Sequence, residues 1–225
     1  TWGDGSSVCG MVTFKDGKPF KTRGGGVMRL EYLLKEIDDE MLNKIKENQK
    51  EKENLNIDEA EAEQTAKTVA LAAVKYGDLS NQASKDYIFD IDRFTSFEGN
   101  TGPYILYTIV RIKSILSKYE AKGGDISALK DAIMPAVNAG QKNLMLSLAK
   151  FNATIESAYE ESAPHKICAY IYELANAFNG FYHDTKILSE ENEELKKSYI
   201  SLLVLTKEIL EACIDMLGFS APDRM

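Results

Sequence analysis

The chain is poor in cysteine, and its cysteines have no arrangement suited to a metal or a disulfide framework. Its 225 residues include three, Cys9, Cys168 and Cys213, which are widely spaced and form no CxxC pair. Zinc cages and disulfide-stapled domains need closely spaced or evenly paired cysteines. The pattern excludes both and predicts a reducing compartment, the cytoplasm, with no structural metal. Cys168 and Cys213 lie in apolar helical runs, so we expect them to be buried core thiols.

Long apolar segments are also missing. No run approaches the roughly 20 apolar residues that cross a bilayer, and no basic segment followed by an apolar one stands at the start of the sequence. We therefore expect no membrane partner. With 44% hydrophobic and 28% charged residues, the chain has the composition of a globular protein whose length allows a sizeable core and one or two domains.

The chain lacks net positive charge, which at first argues against a nucleic-acid partner. The net charge is −8, but residues 1–34 carry +2 and residues 103–151 carry +4, whereas residues 152–225 carry −7. Attraction to phosphate depends on the local potential within about a Debye length of roughly 10 Å. Two basic segments in an acidic chain are therefore compatible with RNA binding, and equally with ordinary solvated surfaces.

A turn leading into a helix is the most informative segment. Residues 96–104 read SFEGNTGPY and are followed by an apolar run studded with basic residues. Asn100 and Thr101 are suited to cap a helix, and Pro103 fits a first helical turn, where its missing N–H costs nothing. The segment predicts a helix that begins close to Pro103.

This helix would carry two phenols and a guanidinium on one face. Tyr104, Tyr107 and Arg111 stand at positions i, i+3 and i+7, which places them in line along a helix. Proteins hold unstacked RNA bases and phosphates with aromatic faces and arginine. Tyrosines at helical spacing are also common in half-buried cores, and the spacing alone leaves both interpretations open.

A basic, glycine-rich stretch lies near the start of the chain. Residues 16–26 read DGKPFKTRGGG and include Lys18, Lys21 and Arg23. Cations of this kind neutralise charge on phosphates, and glycines let a backbone close over them. The pattern is typical of a phosphate-binding loop, and also of a basic surface loop without a binding role.

The remaining pattern is helical, so the fold class is predicted to be mainly α. Apolar spacing predicts short strands near residues 11–14 and 86–92. It predicts helices over residues 27–48, 59–76 (opened by Asp58), 103–121, 127–139, 141–159 (with a candidate break near Asn152), 164–181 and 190–217. The last five form a helical bundle.

Three segments together resemble the arginyl-tRNA synthetase family of class I aminoacyl-tRNA ligases. Residues 97–104 with Arg111 resemble the entry to its anticodon-binding domain, residues 16–26 resemble its divergent KMSKS signature loop, and residues 221–225 (APDRM) resemble its Pro-Glu-Arg-Met terminus. The resemblance implies a DALR-type helical anticodon-binding bundle over residues 101–225. It also implies that residues 1–100 are the carboxyl-terminal remnant of a Rossmann-like class I catalytic domain.

The resemblance further implies site residues and partners. The family attaches arginine to its tRNA through arginyl-adenylate, using ATP and Mg²⁺. The residues implied at the ATP phosphates are Lys18, Lys21, Thr22 and Arg23; either residues 18–22 or residues 19–23 overlay the five-residue motif, and Thr22 replaces its second lysine in the latter. The residues implied at the anticodon are Tyr104, Tyr107, Arg111, Phe178, Tyr182 and Met225, although Phe178 and Tyr182 suit a helical core equally well.

Some parts of the family pattern are absent. The two histidines, His165 and His183, lack the glycine-flanked setting of a HIGH motif, so we expect surface or helix-end positions for both. Leu106 and Ile109 replace a glutamine and a histidine that the family often carries beside Tyr107. We therefore expect a monomeric carboxyl-terminal part of a synthetase, inactive alone. The alternative is a stand-alone helical module that binds tRNA or protein.

Overall fold

The computed structural model describes residues 10–13, 30–51, 58–129 and 132–225. Two short strands, β1 (Val12–Thr13) and β2 (Tyr87–Ile88), pair in parallel with Val12 opposite Tyr87. Both lie within the segments predicted as strands. The second predicted segment is only partly extended, because the Asp90 side chain caps a single helical turn, α3 (Ile91–Phe94), by accepting a hydrogen bond from the Arg93 N–H.

A helical hairpin lies between β1 and β2 in the sequence. It consists of α1 (Leu30–Glu51) and α2 (Glu59–Leu79), which pack along each other. Asp58 caps α2 as predicted, with its carboxylate 2.8 Å from the Glu61 amide nitrogen. The helix continues through Gly77 instead of ending there, because the ring of Phe94 packs directly over that glycine.

The second half of the described chain is a five-helix bundle, which confirms the predicted fold class. Its helices are α4 (Gly102–Ala121), α5 (Ala139–Ala149), α6 (Phe151–Glu160), α7 (Pro164–Asp184) and α8 (Glu193–Met216). The helix predicted over residues 141–159, with a candidate break near Asn152, is two helices that are separated at Lys150. The last helix starts later than predicted because Asn192 caps it, with its side-chain oxygen 3.1 Å from the amide nitrogens of Glu194 and Leu195.

The helix predicted over residues 127–139 is wrong. A single 3₁₀ turn, Ser127–Leu129, is followed over residues 132–138 by irregular backbone. Pro135 has no N–H to donate and disfavours helix for the residue before it. Side chains of α8 hold this segment: the Ser201 hydroxyl donates to the carbonyl of Leu129 (2.8 Å), and the amide of Met134 donates to the Ser198 hydroxyl (2.9 Å).

Helix α7 lies at the centre of the bundle and packs against α4, α5, α6 and α8. Its inner face is fully buried along Ile171, Leu174 and Phe178. Cys168 and Cys213 are free and buried, as expected for core thiols. Burial raises the pKa of both thiols to about 12, so both remain protonated and unreactive at neutral pH.

The hairpin and the bundle meet where α4 begins. A Cβ added at Gly102 would lie 2.4 Å from the carbonyl oxygen of Ala72, so the two backbones approach as closely as glycine permits. Beside this contact, the buried Tyr76 hydroxyl lies within hydrogen-bond distance of the Asn100 side chain (2.5 Å) and the Cys168 carbonyl (2.9 Å). The predicted division into residues 1–100 and 101–225 falls at this junction and remains a prediction.

Residues 218–225, called here the tail, run back along α2. Gly218 turns the chain after α8 with φ of 80°, and its carbonyl accepts a hydrogen bond from Lys75. Lys113 of α4 contacts the Pro222 carbonyl (3.3 Å) and the Asp223 carboxylate (3.2 Å). Arg224 then forms a bidentate ion pair with Glu61, in which Nε lies 2.5 Å from Oε1 and Nη2 lies 2.6 Å from Oε2. The tail thus connects the bundle to the hairpin.

Because no space exists for a side chain at Gly102, we expect Gly102→Ala to lower the free energy of unfolding by about 1–3 kcal/mol. Gly180 is a matched control, since a Cβ there would meet nothing within 4 Å. Gly180→Ala should raise stability by about 0.5–1 kcal/mol, as alanine does in an exposed helix. Urea unfolding of both variants checks this. A Gly102→Ala protein as stable as the parent would contradict the close backbone contact.

Candidate nucleic-acid interface

The first turn of α4 is fixed by its cap. The Thr101 hydroxyl accepts a hydrogen bond from the Tyr104 amide (3.2 Å) and donates its own proton to the Ser96 carbonyl (2.6 Å). Thr101 is therefore the cap, as the sequence predicts, whereas Asn100 contacts Tyr76 instead. Pro103 occupies the first turn, as expected. These contacts set the direction in which the first tyrosine of α4 points.

Three side chains of α4 line one face of the helix. Tyr104, Tyr107 and Arg111 are all half-buried, neither enclosed in the core nor fully in solvent. The guanidinium carbon of Arg111 lies 4.8 Å from the centre of the Tyr107 ring. The same atom lies 5.3 Å from the ring centre of Tyr182 on α7. The guanidinium therefore lies close to two phenol rings, one from each helix.

Two asparagines of α7 complete this arrangement. The Tyr104 hydroxyl donates to Asn176 Oδ1 (2.7 Å), and Asn179 Nδ2 donates to the Tyr104 oxygen (3.0 Å) and to Thr108 Oγ1 (3.1 Å). Arg111 Nη1 donates to Asn179 Oδ1 at 2.5 Å. We call Tyr104, Tyr107, Arg111, Asn179 and Tyr182 the Tyr–Arg cluster.

The sequence pattern alone indicates no role for the asparagines. A weak signal was available: Asn176 and Asn179 are three residues apart on α7, so both lie on the side of that helix that faces α4. Without the orientation of α7, polar residues on that side could equally have faced water.

Phe178 does not face solvent. Its side chain is fully buried, whereas Tyr182, one turn later, is 41% exposed. The two rings are stacked, with centroids 6.0 Å apart and an interplanar angle of 21°. The core interpretation is therefore correct for Phe178, because α7 directs that position into the bundle. Phe178 supports the Tyr182 ring from inside and cannot itself contact RNA in this conformation.

Met225 is half-buried and packs on the hydrophobic core at the end of the tail. The tail is held by Lys113, two residues after Arg111, and two residues turn an α-helix by about 200°. The contacts that fix the tail therefore lie on the side of α4 away from Arg111. They do not bring Met225 into the Tyr–Arg cluster, and its place at an anticodon remains a prediction.

The remaining sequence-based candidates are the residues of the basic loop and the two histidines. Lys18, Lys21, Thr22 and Arg23 fall outside the described residues. His165 and His183 occupy the two ends of α7, as expected, and the exposed His183 ring contacts only its neighbour Asp184 among the described contacts (2.9 Å).

Neither a metal-ligand group nor a membrane-spanning helix is found among the described residues. They contain no group of three His, Cys, Asp or Glu side chains that could hold a metal ion. None of their helices combines the length and apolar character needed to cross a membrane.

The cluster combines exposed aromatic surface with a retained positive charge. Arg111 is hydrogen-bonded to a neutral amide, so this contact leaves its charge uncompensated, and the guanidinium still has further N–H donors. Arginine held against aromatic rings is favoured by cation–π attraction. A helical bundle that presents such a cluster is suited to bind nucleic acid through stacking and phosphate or base contacts.

Comparison with known proteins identifies the class of helical bundle to which the cluster belongs. Residues 105–225 match the model of the DALR anticodon binding domain, and the chain therefore belongs to that family. Residues 6–91 match the catalytic domain of class I tRNA synthetases of the arginine type, "tRNA synthetases class I (R)". The two matches follow the order that the sequence predicts.

The resemblance to arginyl-tRNA synthetases is confirmed by relatives. The chain is 98% identical over 216 residues to an arginine–tRNA ligase of Agathobacter rectalis, covering 96% of this chain and 36% of that protein. It is 53% identical to an arginine–tRNA ligase of Alkaliphilus oremlandii, again over 96% of this chain and 35% of the relative. The chain thus spans about a third of the length of the curated relatives it matches.

Solved structures of arginyl-tRNA synthetases share the fold of this chain. The Thermus thermophilus arginyl-tRNA synthetase superposes with a TM-score of 0.77 at 26% identity, covering 95% of this chain and 34% of that one. The Plasmodium falciparum arginyl-tRNA synthetase gives 0.74 at 27% identity, covering 88% of this chain and 34% of that one.

The contribution of the Thr101 cap to stability can be tested by two substitutions. Thr101→Ala removes the acceptor for the Tyr104 amide and should lower the free energy of unfolding by about 0.5–2 kcal/mol. Thr101→Ser keeps the hydroxyl and should retain most of that stability. Thermal and urea unfolding of the two variants measure the difference. Equal losses in both would show that the methyl group, and not the cap, carries the effect.

Proposed function

We propose that this chain is the tRNA-binding part of an arginine–tRNA ligase, and that the Tyr–Arg cluster binds the anticodon arm of arginine tRNA. The observation that carries the proposal is the Arg111 guanidinium beside the Tyr107 and Tyr182 rings, inside the segment that matches an anticodon binding domain. The names of the relatives support the same reaction.

The cluster offers two kinds of contact to an unpaired base. The exposed Tyr182 ring is a stacking surface, and stacking on an aromatic ring contributes roughly 1–3 kcal/mol per base. The free N–H groups of Arg111 can donate to a phosphate or to a base edge. Tyr104 and Tyr107 border this surface, and Met225 would extend it only if the end of the tail reaches the same RNA.

The intact ligase would join arginine to tRNA through arginyl-adenylate formed from ATP. In this proposal, Lys18, Lys21, Thr22 and Arg23 contact the ATP phosphates, where cations offset the charge that develops on pyrophosphate. Mg²⁺ accompanies ATP in such reactions, but the described residues offer no cluster of carboxylates that fits it, so we assign it no residue and no step here. A monomeric state and a cytoplasmic location are part of the same proposal.

A stand-alone helical module that binds tRNA or protein is the competing function. The match of residues 6–91 to a class I catalytic domain favours the ligase, because a module would not need that segment. The same match favours a phosphate role for the basic loop at residues 16–26, which lies inside it.

Loss of one stacking ring should weaken RNA binding by about ten- to hundredfold. We expect this for Tyr107→Ala and Tyr182→Ala, measured by fluorescence anisotropy with the anticodon stem-loop of arginine tRNA. Arg111→Ala should also reduce the slope of log affinity against log salt by about 0.7, the contribution of one phosphate contact to a single strand.

Tyr159 supplies the matched control. It lies on α6, is 85% exposed and is absent from the cluster, so Tyr159→Ala should bind like the parent. Circular dichroism verifies that every variant is folded. Unchanged affinity in a folded Tyr107→Ala/Tyr182→Ala double variant would refute the proposed interface.

A second prediction concerns catalysis. The 225 residues contain no HIGH motif, so this polypeptide alone should show no arginine-dependent exchange between ATP and pyrophosphate. A preparation shown to be free of host synthetase is required. Exchange above the level of a mock purification would contradict the interpretation of the chain as one part of a larger active site.

A further inference from the structure

We propose that Asn179 is a positioning residue that holds the Arg111 guanidinium against the Tyr107 and Tyr182 rings. This inference deepens the proposed function, on which its RNA-binding part rests. Asn179 is half-buried and acts through Arg111 rather than by contact with RNA. Its role is to present the remaining N–H groups of Arg111 in one orientation before RNA arrives.

The hydrogen bonds around Asn179 allow only one orientation of its amide. Thr108 donates its hydroxyl proton to the Tyr104 backbone carbonyl (3.0 Å), and Tyr104 donates its own to Asn176 Oδ1 (2.7 Å). Both hydroxyl oxygens can therefore act only as acceptors toward Asn179, and its NH₂ group supplies both protons. A flipped amide would set oxygen against these oxygens and NH₂ against the donor of Arg111.

This fixed amide then fixes Arg111. Asn179 Oδ1 accepts a hydrogen bond from Arg111 Nη1, and the ring centres of Tyr107 and Tyr182 lie 4.8 and 5.3 Å from the guanidinium carbon. An arginine side chain has many rotamers. If the free protein already restricts Arg111 to one of them, binding RNA costs less side-chain conformational entropy. Asn179 also leaves the positive charge intact, whereas a carboxylate at this position would orient the guanidinium but offset its charge.

Two substitutions separate orientation from charge. Asn179→Ala removes the acceptor and frees Arg111, so affinity for the anticodon stem-loop should fall by about five- to thirtyfold. Asn179→Asp keeps the acceptor for Arg111 but pairs with its charge, so it should reduce the salt slope by about 0.7. Its second oxygen replaces Nδ2, and the Tyr104 and Thr108 hydroxyls must turn to donate to it. Asn176→Ala is the matched control, because Asn176 contacts Tyr104 and not Arg111 among the described hydrogen bonds, and its loss should weaken binding less than Asn179→Ala does.

The orientation of Arg111 can be measured without RNA. In ¹⁵N-resolved NMR spectra of this 225-residue chain, we expect separate, slowly averaging Nη signals for Arg111 in the parent and in Asn179→Asp. We expect rapidly averaged signals in Asn179→Ala. Thermal unfolding shows whether each variant is folded; should Asn179→Ala fail to fold, the slope and spectrum of Asn179→Asp decide the question.

The outcomes distinguish this inference from the proposed function. Restricted Arg111 signals in folded Asn179→Ala would overturn it, whatever the RNA data show. Mobile Arg111 signals with unchanged RNA affinity would overturn the link between orientation and binding, while the tyrosine variants still test the interface. Loss of binding on Asn179→Ala together with mobile Arg111 supports the inference. Unchanged binding in the folded tyrosine double variant would instead remove the proposed function and leave the NMR result to decide the orientation alone.

Discussion

The contact of the α4 backbone with the α2 backbone at Gly102 determines where the rest of the bundle lies. Glycine is required there because any side chain would meet the Ala72 carbonyl. Once α4 is seated, Thr101 orients its first turn, and Tyr76 links the turn before α4 to the start of α7. The relative placement of α4 and α7, and so the meeting of their polar side chains, follows from this close approach together with the direct packing of α4 on α7.

The Tyr–Arg cluster shows how a polar surface is held by an apolar interior. Phe178 is fully buried and stacks beneath Tyr182, so packing in the bundle sets the position of an exposed ring. The amide of Asn179 sets the guanidinium of Arg111 in the same way, through protons already committed elsewhere. Two groups of this surface are thus held from within the bundle, Tyr182 by Phe178 and Arg111 by Asn179.

Local features of the helices could be predicted from the sequence, whereas the contacts between side chains of different helices could not. The cap at Thr101, the proline in the first turn and the shared face of Tyr104, Tyr107 and Arg111 depend on neighbours within about seven residues. The error over residues 127–139 came from apolar spacing that outweighed Pro135, in a segment that α8 holds in irregular form. The directions in which Phe178 and the asparagines of α7 face could not be predicted from the sequence. They depend on how α7 is oriented about its own axis, and only the packing of the bundle defines this orientation.

The tail has a consequence for synthesis on the ribosome. Arg224 is 163 residues later than its partner Glu61, and at about 5–20 residues per second this separation takes about 8–33 seconds to translate. Helices α2 and α4 are complete long before residues 218–225 emerge. Helix α4 can therefore pack on α2 at Gly102 before the tail is made, and the tail adds its charged contacts to this backbone contact last.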